Sequence, residues 1–82
     1  MVSVDLYSKT GCHLCDIMKT KLYQIRKKHP FDLHEIVIQE GDEYFEQFKD
    51  RIPVLFINKE FAFQYRIQED RFIEIIKRLS IT

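Results

Sequence analysis

Hydrophobic and polar positions alternate at the start of the chain: Val2, Val4 and Leu6 interleave with Ser3 and Asp5, and Tyr7 follows, a period of two that predicts a strand. Ser8-Lys9-Thr10-Gly11 breaks the pattern with turn chemistry. Leu14, Ile17, Met18, Leu22 and Ile25 then recur at helical spacing, with Lys19, Lys21, Arg26 and Lys27 mostly between them. Thr10 or Gly11 is the expected cap, with Cys12 in the first turn. Pro30 lacks an N–H and keeps its predecessor out of helical angles, so this helix ends near His29. Phe31 to Ile38 predicts a second strand, and Gly41-Asp42 a short helix with Tyr44, Phe45 and Phe48 on one face. The apolar run Pro53-Val54-Leu55-Phe56-Ile57 fits a strand buried on both sides. Asn58-Lys59 predicts a two-residue hairpin turn, a weak one because lysine tolerates positive φ poorly, and Phe61 to Tyr65 the returning strand. A last helix starts near Glu69 and Asp70, ends near Lys77 and Arg78, and carries Phe72, Ile73, Ile76 and Leu79 on its apolar face.

The predicted order is β-α-β-α-β-β-α, an α/β domain with a four-stranded mixed sheet flanked by three helices. With 82 residues and no linker or repeat, residues 1–82 form one domain. Apolar residues at 45% and charged residues at 32% are ordinary for a folded domain, and eleven Phe and Tyr residues help a thin core. Lysine plus arginine and aspartate plus glutamate balance at 13 each, which disfavours general nucleic-acid binding. The basic residues gather around the first helix, and Glu35, Glu40, Asp42, Glu43, Glu46 and Asp50 gather later. These read as two solvated faces, of which the basic one can steer an acidic partner. No stretch approaches the ~20 apolar residues of a membrane span. The first nine residues lack the apolar core of a secretory signal, so a cytoplasmic protein without membrane association is expected, and a monomer.

The chain's two cysteines form Cys12-His13-Leu14-Cys15 at the first strand–helix junction. In a reducing compartment such a pair is more often catalytic or metal-binding than structural. A helix start presents unpaired N–H groups and partial positive charge, which favour a thiolate over a thiol. Cys12, nearer the turn, is the expected nucleophile, and Cys15, one helical turn on, the resolving thiol. A purely stabilising disulfide here would close too short a loop to remove much chain entropy.

The pair at this junction, with Ile52-Pro53 ahead of a buried strand, resembles the thioredoxin fold, and within it the glutaredoxins. Tyr7-Ser8-Lys9-Thr10-Gly11-Cys12 is similar to the start of the glutaredoxin active-site segment, and Ile52-Pro53-Val54-Leu55-Phe56-Ile57-Asn58 to the segment carrying the family's cis-proline. Phe63-Gln64-Tyr65-Arg66-Ile67 resembles a poorly characterised branch of small glutaredoxin-like proteins. The resemblance covers nearly the whole chain. It implies a thiol–disulfide oxidoreductase with catalytic Cys12 and Cys15, no bound cofactor, and a disulfide-containing protein or small molecule as substrate, recycled by a separate reductant. It implies a cis Ile52-Pro53 bond, with Ile52 offering its backbone to an extended thiol peptide. It places Lys9 near the glutathione carboxylate, with Arg51 available to the same anionic end. His13 stands where glutaredoxins more often have proline. The family's Gly-Gly pair and acidic residue are replaced near Phe63, Gln64 and Arg66, so glutathione, as reductant or co-substrate, is expected to bind weakly.

Two binding-module alternatives use the same cysteines. Cys12, Cys15, His29 and His34 match the loose spacing of a zinc site, but a helix between the pairs would separate them by roughly 20 Å. Cluster-bridging glutaredoxins usually carry one cysteine followed by Gly-Phe-Ser, which this sequence lacks.

Overall fold

A computed structural model describes residues 1–80. The elements are β1 (Ser3–Ser8), α1 (His13–Lys28), β2 (Asp32–Val37), α2 (Glu43–Phe48), β3 (Val54–Ile57), β4 (Glu60–Gln64) and α3 (Glu69–Ser80). Order and types match the sequence reading, with strand ends shifted by a residue or so. The strands lie in the order β2-β1-β3-β4. β1 pairs parallel with β2, Ser3 opposite Asp32, and antiparallel with β3, Leu6 opposite Leu55. β3 and β4 form a hairpin with a register shift between Leu55 and Phe56.

Alternation along the strands divides the core between two faces. On one, Val4, Leu6, Leu55, Ile57 and Phe63 pack with Met18, Leu22 and Ile25 of α1 and Phe72 and Ile76 of α3. On the other, Tyr7 and Phe56 meet Phe48 of the short α2, with ring centroids 4.9 and 6.0 Å from that of Phe48. The apolar stripe of α1 is wider than its buried face: Leu14 and Ile17, expected in the core, are each 40% exposed.

Asn58 and Lys59 both adopt positive φ, 50° and 70°, the geometry of a primed hairpin turn. Tertiary bonds hold this unfavourable lysine. Asn58 Oδ1 accepts from Ser3 N at 2.9 Å, and Lys59 Nζ donates to Oδ2 of the buried Asp5 at 3.0 Å. That bond to the Asp5 carboxylate pushes the Lys59 ammonium pKa up. Among the described residues, no helix is long and apolar enough to cross a membrane.

Candidate functional site

β1 ends at Ser8, and the chain turns through Gly11 at φ +76°, a conformation that glycine adopts without steric cost. The structure corrects the expected cap. Neither Thr10 nor Gly11 caps α1; Cys12 does, with φ −91° and ψ 108°, and the helix begins at His13. Cys15 N donates to Cys12 Sγ at 3.2 Å. The Cys12 sulfur thus takes the capping place usually filled by a serine or aspartate oxygen, and one of the orphan N–H groups of the helix start points at it.

Cys12 and Cys15 are joined as a disulfide, with Cα atoms 5.2 Å apart. Their environments differ. Cys15 is buried, 2% exposed, in a cluster with Ile38, Phe48, Ile52 and Val54, whereas Cys12 is half-buried at its edge. Of the two cysteines, Cys12 is therefore the more accessible.

The Ile52-Pro53 bond is cis, and Pro53 is fully buried. Ile52 packs against the thiol cluster and makes none of the turn or loop backbone hydrogen bonds among the described residues.

The other sequence-chosen residues do not converge on one anionic end. Lys9 borders a cavity of about 210 Å³ beside Gly11 and Cys15. Lys19 and Glu35 also line it, with Lys19 Nζ to Glu35 Oε2 at 3.0 Å and Ser8 Oγ donating to the same oxygen at 3.1 Å. The hydrogen bond to Glu35 pushes the Lys19 pKa up. Arg51 turns elsewhere: its Nε donates to Gln64 Oε1 at 2.9 Å, and its guanidinium lies 5.8 and 5.4 Å from the ring centroids of Phe48 and Phe61. It borders a cavity along β4 that Lys9 does not reach.

His29 caps the C-terminus of the 16-residue α1, whereas the cysteines stand at its N-terminus, about 24 Å away along the axis. His34 lies on β2. The four residues of the zinc spacing therefore do not meet.

Sequence reasoning did not single out Tyr65. It leaves β4 at φ +67°, in the left-handed region that an aromatic residue seldom enters. Around it, Arg66 N donates to Gln64 O at 2.7 Å, closing a tight γ-turn. Tyr65 N donates to Pro53 O at 2.8 Å, and its phenol donates to Asp50 O at 2.6 Å. The turn is thereby tied to both ends of the Asp50–Pro53 segment. Phe63, expected to crowd this region, is buried in the core, and Gln64 holds Arg51. Tyr65, Arg66 and Ile67 face Leu14, Ile17 and Lys21 across a groove of about 450 Å³. Its sequence signal was the second apolar row on α1, Leu14 and Ile17, offset from Met18, Leu22 and Ile25.

The chain matches the family model described as "Glutaredoxin-like domain (DUF836)" over residues 3–77. It is 30% identical to the glutaredoxin-like protein YDR286C homolog of Dictyostelium discoideum, over 98% of this chain and 82% of that protein. The solution structure of protein Ne2328 from Nitrosomonas europaea aligns with a TM-score of 0.78 at 29% identity, covering 90% of this chain and 89% of that one. Thioredoxin f2 of Chlamydomonas reinhardtii aligns with a TM-score of 0.67 at 14% identity, over 99% and 81% of the two chains, a likeness of fold alone.

Proposed function

The chain belongs to the glutaredoxin-like domain family, and from that premise we propose that it is a dithiol thiol–disulfide oxidoreductase acting on a protein or low-molecular-weight disulfide. One observation carries the reading: Cys15 N–H is aimed at Cys12 Sγ at the helix start, while Cys15 itself is buried against Ile52. In the reduced protein the same donor would favour a Cys12 thiolate, and a hydrogen bond to a charged acceptor is worth about 1.5–3 kcal/mol.

The Cys12 thiolate attacks one sulfur of the substrate disulfide. A Cys12–substrate bond forms, the substrate S–S bond breaks, and the other substrate sulfur leaves as a thiolate that takes a proton from solvent. Deprotonated Cys15 then attacks Cys12 Sγ, and the second substrate sulfur leaves. Two electrons have passed to the substrate, and Cys12–Cys15 is a disulfide. An external thiol reductant returns the pair to its starting state.

Ile52 would orient the substrate by strand-like pairing ahead of Pro53, and Lys9 would attract an anionic end. Glutathione would be a weak co-substrate, because Tyr65 occupies the turn where an open glycine backbone would admit a ligand, and Arg66 repels an ammonium group. The working compartment would be a reducing one such as the cytoplasm, with the protein monomeric.

The test is a pair of variants. Cys12→Ser should abolish disulfide reduction, and Cys15→Ser should accumulate mixed disulfides on Cys12, seen by mass spectrometry. Near-full turnover in both variants would contradict the scheme.

A further inference from the structure

Among the described residues β4 ends the sheet, with β3 on one side and no strand on the other. Its outward backbone groups therefore lack a ladder, which leaves a template for another extended chain. Two cavities, of about 440 and 360 Å³, run along this edge and share Phe61, Ala62, Arg71 and Ile75. Arg51, Arg66 and Arg71 line the larger one, and no carboxylate does. Among the described residues, none of the three forms a salt bridge.

Arg51 is already positioned. Gln64 and the Phe48 and Phe61 rings fix its guanidinium without neutralising its charge. It reaches the edge from the α2 side of the sheet, and Arg71 reaches it from α3, so acidic side chains on either face of an added strand would meet a cation. Phe61, half exposed, offers an apolar contact between them. Arg66 also lines the groove of Leu14 and Ile17, at the start of the helix that carries the cysteines.

We propose that the β4 edge is a docking strip for an extended acidic segment of the partner protein whose disulfide Cys12 attacks. The segment adds as a fifth strand, with its carboxylates on Arg51, Arg66 and Arg71. This rests on the disulfide-exchange reading for the partner's identity, though not for the binding itself. A second copy of this chain would bring a single β4 carboxylate, Glu60, to three arginines, so a segment richer in acidic residues suits the strip better. The three unpaired arginines select an acidic strand.

The experiment uses a fluorescein-labelled, cysteine-free peptide of about ten residues built from Glu-Glu-Val-Val repeats, a strand's length with glutamates on both faces. A Lys–Val counterpart and a Glu–Val version with a central proline are the controls. Anisotropy should show binding of the acidic peptide that weakens with salt. The lysine peptide should not bind, and the proline peptide should bind much more weakly, because a ladder donor is lost. Backbone amide shifts should concentrate in residues 60–64. Arg71→Glu should weaken binding by about tenfold or more, and Arg71→Gln by less. Both should reduce a small uncharged disulfide at the wild-type rate, since Arg71 lies on α3, away from the cluster that holds Cys12 and Cys15. Absence of binding, equal binding of the proline peptide, shifts centred elsewhere, or indifference to Arg71→Glu in a folded variant would each overturn the docking strip. Because the peptide has no sulfur, binding without disulfide turnover would sink the oxidoreductase reading alone.

Discussion

Replacing Tyr65 tests the turn that faces Leu14 and Ile17 across the groove. The left-handed conformation, φ +67°, costs a residue with a Cβ about 1–2 kcal/mol relative to glycine. Against this, the phenol donates to Asp50 O at 2.6 Å at an exposed position, worth about 0.5–1.5 kcal/mol. Tyr65→Ala removes that bond and keeps the conformational cost, so it should destabilise by about 1 kcal/mol. Tyr65→Gly removes the bond and the cost together, and should be close to wild type. The glycine variant should therefore exceed the alanine variant by about 1 kcal/mol, a reversal of the usual preference for alanine. In a domain of this size that is roughly 4–8 °C in Tm. Tyr65→Phe isolates the hydroxyl and should fall near the alanine variant or above it. Urea unfolding of the oxidised protein with a common m value provides the measurement. An alanine variant as stable as the glycine variant would refute the left-handed turn, and with it the account of why the groove is closed to a glycine-type backbone approach.

The other predictions test the core, the charges and the ligand. Phe72 is fully buried, with its ring centroid 5.3 Å from that of Phe31, so Phe72→Ala should cost about 3–5 kcal/mol by urea unfolding, against a reserve of roughly 4–12 kcal/mol for a chain of this length. A cost below about 1 kcal/mol would contradict that packing. Burial first, then Tyr44 and Asp5, push the Tyr7 pKa up, and Asp5 pushes that of Lys59 up. Both folded values lie above the unfolded ones, so the stability they contribute is complete below about pH 10 and lost as pH rises through the raised values. Thermal unfolding should therefore show Tm falling at alkaline pH, and Lys59→Met should flatten part of that fall. Calorimetry with glutathione should find no micromolar binding to the wild-type protein; a micromolar Kd would remove the argument from Tyr65 and Arg66.

Local patterning was enough to establish the order of elements. Val2-Val4-Leu6, the row Met18-Leu22-Ile25 and the run Val54–Ile57 each carry one period, and each matches the element that forms. The thiol pair and Ile52-Pro53 were legible for the same reason: each is a short segment whose residues are adjacent in sequence. The rest depended on contacts between distant segments. Lys59 holds a left-handed turn because Asp5 lies across the sheet. Cys12 rather than Thr10 or Gly11 caps α1, its sulfur accepting from Cys15 N. Arg51 faces Gln64 rather than Lys9, and Leu14 and Ile17 line a groove rather than the core. A sequence period reports which side chains share a face; which of those faces is covered, and by what, is decided when the layers pack.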